Sequence, residues 1–231
     1  MMPSKEQWSK DFLQSPKFNA IVSEVKQLRN RIVINFDDVI NSPVETSDTA
    51  RYRMLSSGEI HLQPFYILDY ITSMSNEKIY DVGCGCNFFK KFYNTIGIDP
   101  FDIHADIKEG FDDNFIEKYR LNFKNVISIN AIHFCKLSEL ENRVTNYFDL
   151  VQPGGYAYLA INFARVLEYQ IASTRLLEKT YLEGFVFEVK QMFEKILDNK
   201  AYDLILYENF VETIPDEPVN GNIRILIKRK K

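Results

Sequence analysis

Glycine is scarce in this chain of 231 residues, with only nine, and the chain has three cysteines and one tryptophan. Cys84, Cys86 and Cys135 cannot form an even disulfide framework, and their spacing does not give the paired CxxC motifs of a zinc site. Cys84 and Cys86 flank Gly85, where small side chains are needed, so packing explains them. We therefore predict reduced thiols, as in a cytosolic protein, and no bound metal.

A long apolar run is also missing. No stretch approaches the ~20 residues that a membrane span needs, and the N-terminus MMPSKEQWSK has no apolar segment of a secretory signal. The net charge is −4, so the field of the whole molecule does not attract nucleic acid or an anionic membrane. From these absences we expect a soluble cytoplasmic protein with no membrane partner.

What is present is the composition of a globular protein, with 45% apolar residues and 26% charged residues. Apolar side chains near helical spacing predict two short helices within 5–30 and another helix over 61–74. From residue 78, short apolar strands alternate with helices. Strands are predicted at 78–82, 95–99, 103–105, 125–130 and 156–163, and helices at 87–93, 112–121, 136–149, 163–180 and 188–199.

This alternation predicts an α/β fold with a mostly parallel, doubly wound sheet of about seven strands. No helix fits between 202–208 and 222–230, so these two strands should pair as an antiparallel terminal hairpin. We predict two parts, an N-terminal helical extension over 1–75 and a Rossmann-like domain over 76–231.

Most of the candidate ligand-binding residues lie in one stretch, KIYDVGCGCNFFKKFYNTIGIDP at 78–100. A strand leads into a turn with Gly83 and Gly85, and the next strand ends on Asp99. A glycine turn at the end of a parallel strand lets the backbone approach a ligand, and an acid at the next strand tip can accept from ribose hydroxyls. The pattern is typical of a site for an adenosine-containing cofactor.

Two missing motifs reduce the number of cofactor classes that the site could bind. Phe88 stands at the third glycine position of GxGxxG, which disfavours nicotinamide or flavin, and the P-loop pattern GxxxxGK[ST] is absent. The order of DVGCG, GIDP, SINAIHF and DLVQPGGYAYLAIN over residues 77–231 resembles class I S-adenosylmethionine-dependent methyltransferases, which belong to the Rossmann-like methyltransferase superfamily. That family has a seven-stranded sheet with its last strand inserted antiparallel, in agreement with the predicted hairpin.

The resemblance implies S-adenosyl-L-methionine as the cofactor. In the family's first motif, D/E-x-G-x-G-x-G, Asp81, Gly83 and Gly85 match, and Asp99 matches the acid of the second strand. Gly83 and Gly85 would lie against the methionine end, Asp81 would hold the ammonium group, and Asp99 would bind the ribose diol. The family's Pro-Gly-Gly turn before the fifth strand matches residues 153–155.

Three further residues receive roles from the same resemblance. Asp106 falls where the family often has an acid at the adenine amino group, and Asn130 where it lines the pocket near the sulfonium. His133 falls where small-molecule members carry a histidine near the acceptor, and it is a candidate general base. A structural histidine is the equal alternative at that position.

The implied activity is methyl transfer to an acceptor. The tetrad NPPY of amino-group methylases is replaced by NAIH, and no Pro-Cys pair follows the fourth strand. We therefore predict a small-molecule or O-linked acceptor, with RNA and protein acceptors left open and no oligomeric state assigned. Asn87 at the third glycine and the short segment NFFKKFYNT support an alternative, an inactive methyltransferase-like binding or structural protein. Nucleotide-dependent oxidoreduction is a third alternative.

Overall fold

The computed structural model describes residues 11–31, 63–85, 87–133, 135–162, 179–198, 200–212 and 220–231. The predicted helix at 163–180 lies outside these residues except for its last two residues. The helices are α1 (Pro16–Arg31), α2 (Gln63–Met74), a 3-10 helix (Phe88–Lys91), α3 (Asp113–Tyr119), α4 (Leu137–Asp149) and α5 (Lys179–Leu197). The strands are β1 (Ile79–Val82), β2 (Thr95–Ile98), β3 (Phe123–Ile129), β4 (Val151–Asn162), β5 (Tyr202–Glu212) and β6 (Asn220–Arg229).

The six strands form one mixed sheet in the order β2-β1-β3-β4-β6-β5. β1 pairs in parallel with β2 and β3, and β3 pairs in parallel with β4. β6 is antiparallel to both β4 and β5 and lies between them. The predicted antiparallel terminal hairpin is therefore confirmed, and the carboxyl ends of β1, β2 and β3 meet at one edge of the sheet.

The prediction of a strand at 103–105 was wrong. The described residues contain six strands, so the predicted number of about seven is not confirmed. Two carboxylates bend this backbone. Asp99 accepts from the backbone N–H groups of Phe101 and Asp102, and Asp102 accepts from that of His104. These local side-chain hydrogen bonds compete with strand pairing. The strand-like pairing of this segment with β2 is limited to one parallel bridge, between Ile107 and Ile98.

Two helix predictions also need correction. The helix predicted at 87–93 is only the four-residue 3-10 helix, which begins after Asn87 in the left-handed conformation with φ of 51°. The last helix begins at Lys179 rather than at the predicted residue 188. Gly184 and its β-branched and aromatic neighbours lower the helix propensity of that first half, which is why the sequence pattern did not predict it as helix.

The sheet is covered on both faces, as expected for a doubly wound fold. Alternate residues of β3 and β4 enter opposite layers: Val126 and Ala157 pack with α3, α4 and α5, and Ile127 and Tyr158 pack with α1, α2 and the 3-10 helix. None of the helices in the described part of the chain has both the length and the apolar content that a membrane crossing needs.

The helices before β1, α1 and α2, lie on the face of the sheet that the 3-10 helix also covers. Phe65 of α2 packs edge-on against Phe88 and Phe89 of the 3-10 helix, with ring centroids 6.0 and 5.2 Å apart. The hydroxyl of Tyr93 donates to the backbone oxygen of Phe65 at 2.8 Å. Aromatic packing of α2 thus covers the surface that a longer helix after β1 would cover. The domain boundary at residue 75 stays a prediction.

We expect Gly155→Ala to lower the free energy of unfolding by about 2–4 kcal/mol, because the pairing of β3 with β4 shifts register here and the backbones nearly touch. A Cβ at Gly155 would lie 2.2 Å from the backbone oxygen of Lys124. Guanidinium unfolding monitored by circular dichroism measures the change. Gly110→Ala is the matched control, since its Cβ would have no atom nearer than 3.9 Å. Equal stability of the two variants would contradict the proposed close approach.

Candidate functional site

The turn after β1 is held against the end of β2 by one carbonyl group. The backbone oxygen of Ile98 accepts from the N–H of Gly83 at 2.7 Å and from that of Cys84 at 3.2 Å. Gly83 and Gly85 have φ of 75° and 49°, where glycine carries no steric penalty. A Cβ at Gly83 would also lie 2.1 Å from the Cβ of Ala131. Position 83 therefore requires glycine for both its conformation and its space.

Asp99 is fixed at the tip of β2 by three backbone N–H groups. Its Oδ2 accepts from Gly85 at 3.2 Å, and its Oδ1 accepts from Phe101 at 2.9 Å and from Asp102 at 3.1 Å. A carboxylate oxygen can accept two hydrogen bonds, so Oδ2 keeps one lone pair beside the glycine turn. A ribose hydroxyl needs such an acceptor.

Asp81 lies in β1 and is only 2% exposed. Burial, and then the negative charge of nearby Asp99, raise the pKa of its carboxyl from 3.8 to about 7. Both effects disfavour the charged form, and a cation placed beside the group would reverse them. At neutral pH, Asp81 is thus poised between its acid and its carboxylate, and it is suited to bind an ammonium group.

Asn130 completes the edge at the end of β3. It is exposed, has a left-handed φ of 54°, and donates its backbone N–H to Ala160 of β4 at 2.9 Å. The structure brings Asp81, the glycine turn, Asp99 and Asn130 to the carboxyl ends of three adjacent strands. Ligands of open α/β sheets bind at such an edge.

Asp106 and His133 are placed differently from the other predicted site residues. The carboxylate of Asp106 contacts the chain itself: it accepts from Gly97, accepts from Asn87 and pairs with Lys90. His133 is fully buried after β3, at 0% exposure, so its imidazole would meet an acceptor only if that loop moved. Its role as a base stays a prediction.

Sequence reasoning missed one exposed feature of this edge. Phe101 and Ile103, at 88% and 72% exposure, follow Asp99 in the loop that the two aspartates bend. Their signal in the sequence is an apolar pair inside the short polar stretch DPFDIHAD. In the described ranges, no three His, Cys, Asp or Glu side chains come together as a metal site would require.

Two cavities, of about 240 and 300 Å³, lie beside α3. The smaller is lined by residues from Glu109 to Lys118, and the larger lies between α3 and α4. Neither is lined by a predicted cofactor residue.

The strand order decides the fold, because the last strand is inserted antiparallel between the two strands before it, as in the methyltransferase sheet that the sequence resembles. This strand order is the one that the resemblance to the Rossmann-like methyltransferase superfamily predicts.

No family model matches the chain, and no curated protein is similar to it in sequence. Among solved structures, it is similar to an S-adenosylmethionine-dependent methyltransferase from Archaeoglobus fulgidus at 10% identity, with 75% of this chain and 94% of that chain covered and a TM-score of 0.45. It is also similar to 1,6-didemethyltoxoflavin-N1-methyltransferase from Burkholderia thailandensis at 9% identity, with 83% and 93% covered and a TM-score of 0.46. At TM-scores below 0.5, neither likeness supports a conclusion about this chain.

We predict that Asp81→Asn stabilises the protein at about pH 8 by about 1–3 kcal/mol and has little effect at about pH 4.5. The unfolded carboxyl loses its proton near its ordinary pKa of 3.8, whereas the folded one keeps it up to about 7. The wild-type protein therefore loses stability as the pH rises between these two values, and the neutral amide does not. Guanidinium unfolding at both pH values measures the difference.

The control for this measurement is Asp198→Asn, which removes an exposed carboxyl just after α5 and should change stability little at either pH. A variant at position 81 that is less stable than wild type at the higher pH would show that the ionised Asp81 is satisfied within the protein.

Proposed function

We propose that this chain is an S-adenosylmethionine-dependent methyltransferase that binds its cofactor across the carboxyl ends of β1, β2 and β3. One observation carries the proposal: Oδ2 of Asp99 accepts the N–H of Gly85 at 3.2 Å, so the acid and the glycine turn meet at one point of the sheet edge. A ribose placed at that acid brings the rest of the cofactor over the turn.

Each residue of the edge has a role in this proposal. The free lone pair of Asp99 accepts from the ribose diol, and the backbone at Gly83 and Gly85 lies close to the methionine end. Asp81 accepts from the ammonium group, which shifts its carboxyl to the charged form. Asn130, exposed at the end of β3, lines the space near the sulfonium. The residues of the chain thus fit the ribose hydroxyls and the cation of the cofactor.

Catalysis in this proposal depends on position. The bound cofactor supplies a methyl group that its sulfonium already makes electrophilic, so the protein needs few catalytic side chains. In this proposal its own residues hold the donor at the carboxyl ends of the strands, where the acceptor must reach the methyl group. Alignment of the reacting atoms at close range accounts for a large part of such a rate enhancement.

For the acceptor, we propose a small molecule or an O-linked position. NAIH in place of the amine-binding tetrad supports this choice. His133 stays the candidate base for this acceptor, although its imidazole is fully buried. RNA and protein acceptors are the competing classes, and a screen of acceptors separates them.

A second candidate function is that of a methyltransferase-like binding protein without turnover. Asn87 favours it, because its side chain is buried inside the turn where the family motif has a third glycine. This candidate retains cofactor binding and differs from the first only in the absence of methyl transfer.

We expect S-adenosylmethionine and S-adenosylhomocysteine to bind with micromolar dissociation constants in calorimetric titration. Asp99→Ala should weaken both by about tenfold or more, since it removes a charged acceptor from the ribose hydroxyls. Affinity should rise with pH up to about 7, by at most about tenfold per pH unit, because Asp81 must ionise to hold the ammonium group.

Asp203→Ala is the matched control, since this aspartate pairs with Lys230 at the opposite end of the sheet. It should leave both affinities unchanged. A folded wild-type sample that binds neither ligand would overturn the proposed function. Binding without turnover on any acceptor of the panel would favour the second candidate.

A further inference from the structure

Asn87 links the glycine turn to the loop after β2. It has a left-handed φ of 51°, a conformation that asparagine tolerates better than most residues, and it is only 6% exposed. Its Nδ2 donates to the backbone oxygen of His104 at 3.0 Å and to Oδ2 of Asp106 at 3.1 Å. Both amide protons therefore cross to the same loop, 17 and 19 residues further along the chain.

Asn87 packs directly against the backbone of Gly97 in β2. A Cβ at Gly97 would lie 2.6 Å from Cγ of Asn87 and 2.6 Å from Sγ of Cys84. The N–H of Gly97 donates to Oδ2 of Asp106 at 2.9 Å. Oδ2 thus accepts two hydrogen bonds from the protein, which is the full capacity of a carboxylate oxygen.

The other oxygen of Asp106 accepts one hydrogen bond, so it keeps one lone pair, and its negative charge is paired with a lysine. Oδ1 pairs with Nζ of Lys90, the third residue of the 3-10 helix, and this hydrogen bond is the main reason that the pKa of Asp106 lies below its ordinary value. The next residue, Lys91, pairs instead with Glu24 of α1. Two adjacent lysines of similar exposure therefore have different partners.

We propose that Asp106 is a positioning residue, which holds the glycine turn against β2 in a clasp formed by Asn87, Lys90, Gly97 and Asp106. Its carboxylate does not accept a hydrogen bond from the amino group of the cofactor's base. This inference rests on the proposed function. Asn87 then stands where the family has a third glycine because its amide is needed for the clasp. The carboxylate would give no preference for an amino purine over an oxo purine.

The clasp itself is tested without any ligand, by thermal unfolding of Lys90→Met, Asp106→Asn and the double variant. Each single change should lower Tm by about 1–4 °C, and the double variant should lose less than the sum, because both remove the same interaction. Lys91→Met is the matched control, and its effect should add in full to that of Asp106→Asn. Full additivity of Lys90→Met with Asp106→Asn would overturn the clasp.

The role toward the base is tested by titration with S-adenosylhomocysteine and with S-inosylhomocysteine, in which an oxo group replaces the amino group. We expect Asp106→Asn to weaken both ligands by the same factor, so that their affinity ratio changes by less than about twofold. If Asp106 reads the amino group, the loss of that charged acceptor changes the ratio by about tenfold or more, which would overturn the inference.

Lys90→Met gives the same comparison on an exposed side chain if Asp106→Asn fails to fold. Loss of the clasp should weaken both ligands equally, whereas release of a carboxylate that reads adenine would favour the adenosyl ligand. If wild type binds neither ligand, the proposed function fails, and the unfolding experiment still decides whether the clasp exists.

Discussion

The backbone oxygen of Ile98 accepts two hydrogen bonds, from Gly83 and Cys84, and the geometry of the candidate site follows from this one acceptor. Two N–H groups can converge on the last carbonyl of β2 only if the chain folds back directly after β1. That reversal needs the positive φ of Gly83 and brings the N–H of Gly85 to Asp99. The glycine turn and the acid are thus placed by backbone pairing rather than by a bound ligand.

The same geometry places the carboxyl groups of Asp81 and Asp99 at the ends of adjacent strands, where the first is buried and the second is half-buried. Asp99 disperses its charge over three backbone N–H groups, whereas Asp81 is buried and meets the field of Asp99. Such an arrangement costs stability in the free protein. The carboxyl ends of parallel strands are where open α/β sheets bind ligands, so a group that is costly to stability and lies there favours a functional explanation over packing.

The parts of this structure that the sequence predicts are those with local causes. The alternation of strands and helices, the glycine turn, Asp99 at a strand tip and the terminal hairpin all depend on residues close in the chain. The strand expected at 103–105 was lost to hydrogen bonds from Asp99 and Asp102, which periodicity does not register. The contact of Asn87 with Asp106 is also hidden, because nothing local in either motif specifies a partner 19 residues away.

Contacts with neighbouring elements hold the short 3-10 helix after β1 in place. Phe88 and Phe89 are buried against Phe65 of α2, and Lys91 pairs with Glu24 of α1. The preceding lysine, on the same four-residue helix, pairs with Asp106 in the loop after β2. A segment too short to order itself by helix propagation is therefore ordered by tertiary contacts in two directions. Because the helices before the sheet and the loop after β2 share this support, a change in either one acts on the glycine turn between them.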